Sequence, residues 1–192
     1  MENFLTIATG VDTTPILLAI KRRPELWKAD DYLRNYPQGP FKEVESILLR
    51  FPPITVVELQ EDAEKLLADR RYDPHECVSR PEMQQVPEAR TLAMMLMARV
   101  EGERLGRVMI NKIVPGGRIF PHADTPEHAD YYTRFHICLY GLPGATIRCA
   151  DERRSFRTGD VFWFNNKLDH EVVNNSAEER ISMVVDIRTS RP

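Results

Sequence analysis

From Gly106 onward the chain breaks into short extended runs, and that texture restricts the fold more than any other feature. The runs 108–114, 118–121, 135–140, 145–149, 155–156, 161–164, 171–174 and 181–187 are mostly rich in β-branched, aromatic or other apolar residues. Pro115-Gly116-Gly117, Gly141-Leu142-Pro143-Gly144 and Thr158-Gly159-Asp160 supply turn signals between several of them. Strands this short and this numerous bury their apolar faces by forming two facing sheets, a small sandwich or jelly-roll barrel with a site between the sheets.

The preceding chain reads as a mainly helical cover. Thr13-Thr14-Pro15 starts a helix, with Thr14 as the cap and Pro15 at the first helical position; Ile16, Leu17 and Ile20 face inward, and the helix stops near Pro24. A second short helix runs through Glu25, Leu26 and Trp27, and Tyr36-Pro37-Gln38-Gly39-Pro40 forms a loop. The run 46–51 is a strand, 56–70 an amphipathic helix, and 72–86 a polar loop. Pro87-Glu88 opens a helix that ends between Gly102 and Gly106, with Leu92, Met95, Leu96 and Val100 packed into the core. We expect a mainly β protein with flanking helices, in which a mixed region, 1–86, packs on a core, 87–192, within one compact domain.

Composition removes several function classes. A net charge of -3 gives no general attraction to nucleic acid or acidic membranes. The most apolar helical segment, 91–100, is too short for a bilayer, and Asp12 interrupts the first apolar run, so neither a span nor a secretory signal is expected. Cys77, Cys138 and Cys149 lack metal-ligand spacing and read as free buried thiols of a reducing, cytoplasmic compartment.

Chemistry concentrates in three places. His122 and Asp124 are two apart on an extended run, so both side chains project to one side. His170 follows the turn Asn165-Asn166-Lys167, and the three together make the two-His, one-carboxylate set that leaves open positions on Fe(II). The competing reading of His122-x-Asp124 is a turn whose aspartate caps a helix at Thr125-Pro126. Arg180 precedes an apolar strand, and an arginine in a barrel lumen calls for an anion such as the distal carboxylate of 2-oxoglutarate. Arg134 and His136 share one side of another strand, either toward the site or as a wet edge face. The segment 125–132 reads as a loop over the site with His128 solvated and Tyr131 and Tyr132 either on substrate or on the rim, while Trp163 and Phe164 read as core.

These residues resemble the aspartyl/asparaginyl β-hydroxylase family. The likeness is carried by the run from Val114 to His122, by Arg134-Phe135-His136, by Ile147 to Glu152, by Thr158 to Phe164, by Asp169-His170-Glu171-Val172, and by Arg180 with Val185-Asp186. It implies a double-stranded β-helix (cupin-like) fold and hydroxylation of an unactivated carbon of an amino-acid side chain, free or within a peptide or protein, using Fe(II), 2-oxoglutarate and O2. It also implies that His122 and His170 hold iron, that Arg180 anchors 2-oxoglutarate, and that Arg134 and His136 contact it from a neighbouring strand. Asn111 stands where animal members carry a small hydroxyl residue. Asp124 is a second departure, because the animal enzymes lack a carboxylate there and bacterial amino-acid hydroxylases of the group keep it, so a full triad is expected. The alternatives are a cupin-type metalloenzyme that does not use 2-oxoglutarate, or a non-catalytic barrel serving as a binding module.

Overall fold

In the computed structural model, residues 2–53 and 73–190 are described. The helix expected over 56–70 lies outside the described residues. The elements in order are β1 (Phe4–Ala8), α1 (Thr14–Lys21), a 3-10 turn (Pro24–Lys28), α2 (Tyr32–Asn35), β2 (Val44–Phe51), β3 (Val78–Ser79), α3 (Pro81–Gln85), α4 (Pro87–Arg99), β4 (Gly102–Ile113), β5 (Arg118–His122), α5 (Pro126–Tyr131), β6 (Thr133–Tyr140), β7 (Ala145–Cys149), β8 (Glu152–Arg154), β9 (Val161–Phe164), β10 (His170–Asn174) and β11 (Arg180–Thr189). No helix among the described residues is long and apolar enough to cross a membrane.

Two antiparallel sheets face one another. The larger has the order β1-β9-β6-β11-β4-β2-β3 and the smaller β5-β10-β7-β8, so from β4 onward the chain crosses between sheets at every step except the β7–β8 hairpin, as a jelly roll requires. Alternation along each strand divides its side chains between two cores. The outward phase of the large sheet, including Ile47, Leu49, Val108, Ile110, Ile137 and Met183, packs under α1, α3 and α4 through Ile16, Ile20, Met83, Leu92 and Leu96. The inward phase meets the small sheet through Val44, Ile113, Ile147, Phe162, Phe164 and Val172. The first strand is held far from its sequence neighbours, with Phe4 opposite Phe164.

Several local expectations change. Thr13 rather than Thr14 precedes α1, and its hydroxyl donates to the Leu139 carbonyl, while the Asp12 carboxylate accepts from the Thr14 amide. The segment 102–106 is not a helix end but the start of β4, which runs on through Ile113. On α4 the packed face is Ala89, Leu92, Ala93 and Leu96, and Met95 is exposed, because the helix meets the sheet along small residues. The last strand of the small sheet is Glu152–Arg154 rather than 155–156. The thiols of Cys77, Cys138 and Cys149 are free and buried, as expected.

Candidate metal centre

The ends of β5 and β10 lie side by side, with His122 directly opposite His170. Asp124 follows His122 by two residues, and its backbone amide donates to the Asn166 carbonyl, which ties the two strand ends together. One ligand atom from each of His122, Asp124 and His170 lies within 4.8 Å of the others, close enough for one ion. The three line a cavity of about 100 Å³ between the sheets, together with Asn111, Arg134 and His136.

The hydrogen bonds around these side chains prepare them for a metal. His122 Nδ1 donates to the Phe120 carbonyl at 2.8 Å and His170 Nδ1 to the Leu168 carbonyl at 2.9 Å, so in both rings Nε2 keeps its lone pair for an ion. Asp124 Oδ2 accepts from Arg134 Nη1 and from Asn166 Nδ2, each at 2.6 Å. Its Oδ1 is left 3.7 Å from His122 Nε2. Burial by itself would raise the Asp124 carboxyl, but Arg134 and the Asn166 amide bring it below the usual carboxylate range, so it is an anion. Asp124 does not cap the helix that follows it. That helix, α5, does begin after Thr125, where a loop was expected.

Behind the ligands lies a buried ionic network. Arg134 Nε and Nη2 grip Asp186 at 2.7 and 3.0 Å, and His128 Nε2 reaches Asp186 Oδ2 at 2.6 Å. Asp186 is fully buried; desolvation works against its charge, but Arg134 and the His128 hydrogen bond hold it well below the ordinary carboxylate pKa. His128 is therefore a buried partner of Asp186 rather than a solvated loop residue. Tyr132 packs on the rim with its hydroxyl donating to the His75 carbonyl, and Tyr131 stacks on His75 and accepts from Arg104 and Arg188. Arg148 points away from the cavity to Asp169 and Glu171.

The remaining expected site residues sit deeper. His136 is buried between Phe162 and Phe164, and its Nε2 has no hydrogen-bond partner. Phe164, expected in the core, also lines the cavity with its ring centroid 4.8 Å from that of His170. Asn111 accepts from the Ser46 hydroxyl and lies opposite Ser182. Arg180 is 4% exposed, in phase with Ser182, and its one hydrogen bond among the described residues is to the Ser182 hydroxyl at 3.1 Å. Burial lowers its pKa. Arg134, by contrast, spends its donors on Asp124 and Asp186. Sequence reasoning did not single out Asn166, Ser182, His128 or Asp186 as site partners. The signal for Ser182 and Asp186 was their shared phase with Arg180 on β11.

Three imidazoles of the site, His136 and His170 buried and His122 half-buried, set an acid limit. Desolvation lowers His122, pushes His136 well below its ordinary value, and takes His170 from 6.5 to about 4. The unfolded chain binds protons from pH 6.5 downward while native His170 resists them until about pH 4, so stability falls as pH falls across that window. Urea midpoints of the metal-free protein at pH 7, 5.5 and 4.5 are expected to decrease in that order with an unchanged slope, and a flat series contradicts this assignment.

Comparison with known proteins agrees with the geometry. The aspartyl/asparaginyl beta-hydroxylase family matches residues 67–190. The chain belongs to that family. Aspartyl/asparaginyl beta-hydroxylase of Mus musculus is 31% identical over 88 residues, 45% of this chain and 11% of the mouse protein, and the Homo sapiens protein is 30% identical over the same length and shares. The chain thus spans about a tenth of the length of the curated relatives it matches. The viral collagen prolyl hydroxylase of Paramecium Bursaria Chlorella virus-1, solved with 2OG, superposes with a TM-score of 0.51 at 11% identity, covering 99% of this chain and 97% of that one. That likeness extends to the fold, a jelly-roll β-helix.

Proposed function

We propose that this chain is an Fe(II)- and 2-oxoglutarate-dependent hydroxylase that acts on an unactivated carbon of an amino-acid side chain, in a free amino acid, a peptide or a protein. Membership of the family supports the reaction class. The observation that carries the reading is the combination of the triad with Arg180. A metal-binding barrel needs His122, Asp124 and His170, but it does not need a buried guanidinium whose partner is a serine hydroxyl. Such a charge is costly to bury unless an anion meets it.

The residues fit the cofactor pair. His122, Asp124 and His170 hold the iron through two neutral imidazoles and one carboxylate, the donor set that suits Fe(II) oxygenases. When bound, Fe(II) with 2-oxoglutarate and O2 supplies oxidative decarboxylation to succinate and CO2 coupled to oxygen insertion into a C–H bond. Arg180 and Ser182 receive the far carboxylate of the co-substrate in a charge-assisted pair. His136, as its Nε2–H tautomer, has a free donor for another co-substrate oxygen. Arg134 acts on the site through Asp124, holding Oδ2 so that Oδ1 would be left free to ligate the metal. Phe164, with Met109, Ile119 and Val172 on the cavity wall, excludes water. Tyr32, Leu33 and Phe41, from the N-terminal region, line the outer mouth and choose the substrate. The buried free thiols fit the cytoplasm.

The test is an anaerobic titration of the Fe(II) protein with 2-oxoglutarate, followed by the visible metal-to-ligand charge-transfer band. Wild type is expected to give the band. Arg180→Ala is expected to need about 100-fold more 2-oxoglutarate, since deleting one side of a buried hydrogen-bonded charge pair costs about 2–5 kcal/mol. Iron binding without a band sinks the 2-oxoglutarate assignment.

A further inference from the structure

Among the described residues, the lumen holds one cation that the proposed chemistry leaves unused. Arg107 lies on the inward phase of β4 with Met109 and Asn111, and its Nε is buried without a hydrogen-bond partner. It has no ion pair among the described residues, and burial lowers its pKa. The nearby carboxylates are already taken. Asp186 serves Arg134 and His128, and Asp124 serves Arg134 and Asn166.

The backbone presents this side chain deliberately. Val185 pairs with Val108 and Ile187 with Leu105, so Gly106 and Arg107 together oppose the single residue Asp186. Such a bulge turns one side chain out of the regular ladder. Glycine is required at its first position, because a Cβ on Gly106 would lie 2.7 Å from the Tyr132 ring. The guanidinium then rests over Phe51, 5.1 Å from the ring centroid.

Arg107 sits where the metal cavity opens outward. It lines both the inner cavity and an outer one of about 330 Å³, whose walls include Tyr32, Leu33, Phe41 and Phe51. Leu33, Phe41, His122, Asp124 and Arg134 also line both, so the two are continuous. Charge points the same way. Arg107, Arg134 and Arg180 exceed Asp124 and Asp186 by one positive charge, and a divalent metal with a dianionic oxoacid leaves that excess in place.

We propose that Arg107 is the substrate receptor, and that it takes the carboxylate of an apolar compound whose nearby nitrogen is acylated, as in an N-acyl amino acid or the C-terminal residue of a peptide. The apolar part lies against Phe41 and Phe51. The nitrogen is acylated because the outer cavity offers no spare carboxylate to an ammonium group: among its described lining residues the acid is Asp124, already bonded twice. This rests on the hydroxylase reading for what happens to the substrate, but not for its binding.

Ligand-observed NMR on the metal-free protein tests binding alone. The probes are N-acetyl-L-leucine, N-acetyl-L-phenylalanine, their neutral amides, free L-leucine and the peptide acetyl-Gly-Gly-Leu. Wild type is expected to bind the acetylated acids at least about tenfold more tightly than the amides or free leucine, as loss of a charged hydrogen bond dictates. Tighter binding of the peptide than of the single residues identifies a chain terminus as the source; the reverse identifies a small N-acyl acid. Arg107→Gln is expected to lose the preference for acid over amide, and Arg107→Lys to restore part of it. Arg107→Met is expected to keep the fold and melt a few degrees higher, because it removes a largely buried charge that has no ion pair among the described residues. Equal binding of acids and amides, no binding of any acid at millimolar concentration, or an unchanged preference in Arg107→Gln overturns the proposal. So does loss of the preference in Arg180→Ala alone, which reassigns the receptor to the deeper arginine. A missing charge-transfer band sinks the hydroxylase reading while leaving this result standing, so the two failures are distinguishable.

Discussion

Replacing His170 with alanine is expected to abolish Fe(II) binding while leaving the protein folded. The effect should far exceed the roughly 10–100-fold loss that removal of an outer hydrogen-bond partner costs. His170 contributes little else: its ring is neutral, its Nδ1 is satisfied by the Leu168 carbonyl, and β10 is held by backbone pairing to both β5 and β7. Its removal leaves His122 and Asp124, and the pair lacks the third donor that fixes the ion between the strand ends. Anaerobic equilibrium dialysis with metal analysis reads the result, and a variant that keeps wild-type iron content places the metal elsewhere. Asp124→Ala makes the second arm. It also frees Arg134 Nη1 and Asn166 Nδ2, so it is expected to lose stability as well as iron, a difference between the two variants that a shared folding defect would not give.

Asp186→Asn carries the second large effect, and it falls on stability first. The wild-type carboxylate is wholly buried and answers three donors, two from Arg134 and one from His128. An amide cannot accept on both atoms, so a buried guanidinium is left partly unpaired, at a cost of about 3–5 kcal/mol. That is a large part of the roughly 5–15 kcal/mol that holds an ordinary domain together. Urea unfolding measures it, and a loss below about 1 kcal/mol would show that water or relaxation replaces the network. Surviving folded protein should also bind iron about 10–100-fold more weakly, because Arg134 then ceases to hold Asp124.

How legible these features were in the sequence depended on how local their causes are. The strands Ala145–Cys149 and Val161–Phe164 were read to the residue because a glycine-bearing turn precedes each and polar residues follow, around an alternating run in the first and a continuous apolar run in the second. Glu152–Arg154 was not, because an edge strand made of charged residues has no apolar phase to reveal it. Glycine misled at β4: Gly102 and Gly106 look like helix punctuation, yet the second is the seat of a bulge whose need is set by Tyr132, a distant ring. His122 and Asp124 were visible because two-residue spacing on an extended run is a local rule; His170 was read from its place after a polar turn and Arg180 from its place ahead of an apolar strand, and the family likeness agreed with both. His128 was misread because its partner, Asp186, is 58 residues away, and nothing in the polar segment around it announces a buried carboxylate. Arg107 was legible only as a member of the same strand phase as Asn111. That it forms no ion pair among the described residues is a property of the assembled lumen.

The pairing of Phe4 with Phe164 has a consequence for how the molecule is made. The chain's first strand finds its partner only after strand β5, which carries His122, and most of the barrel exist, and β2 likewise waits for β4. Contacts so distant in sequence place the protein among slow, high-contact-order folders. During synthesis at about 5–20 residues per second, the first strand spends about ten to thirty seconds without its ladder. Its Leu5, and Phe4 that later enters the core, are then an unpaired apolar edge, the kind of edge that invites association between nascent chains.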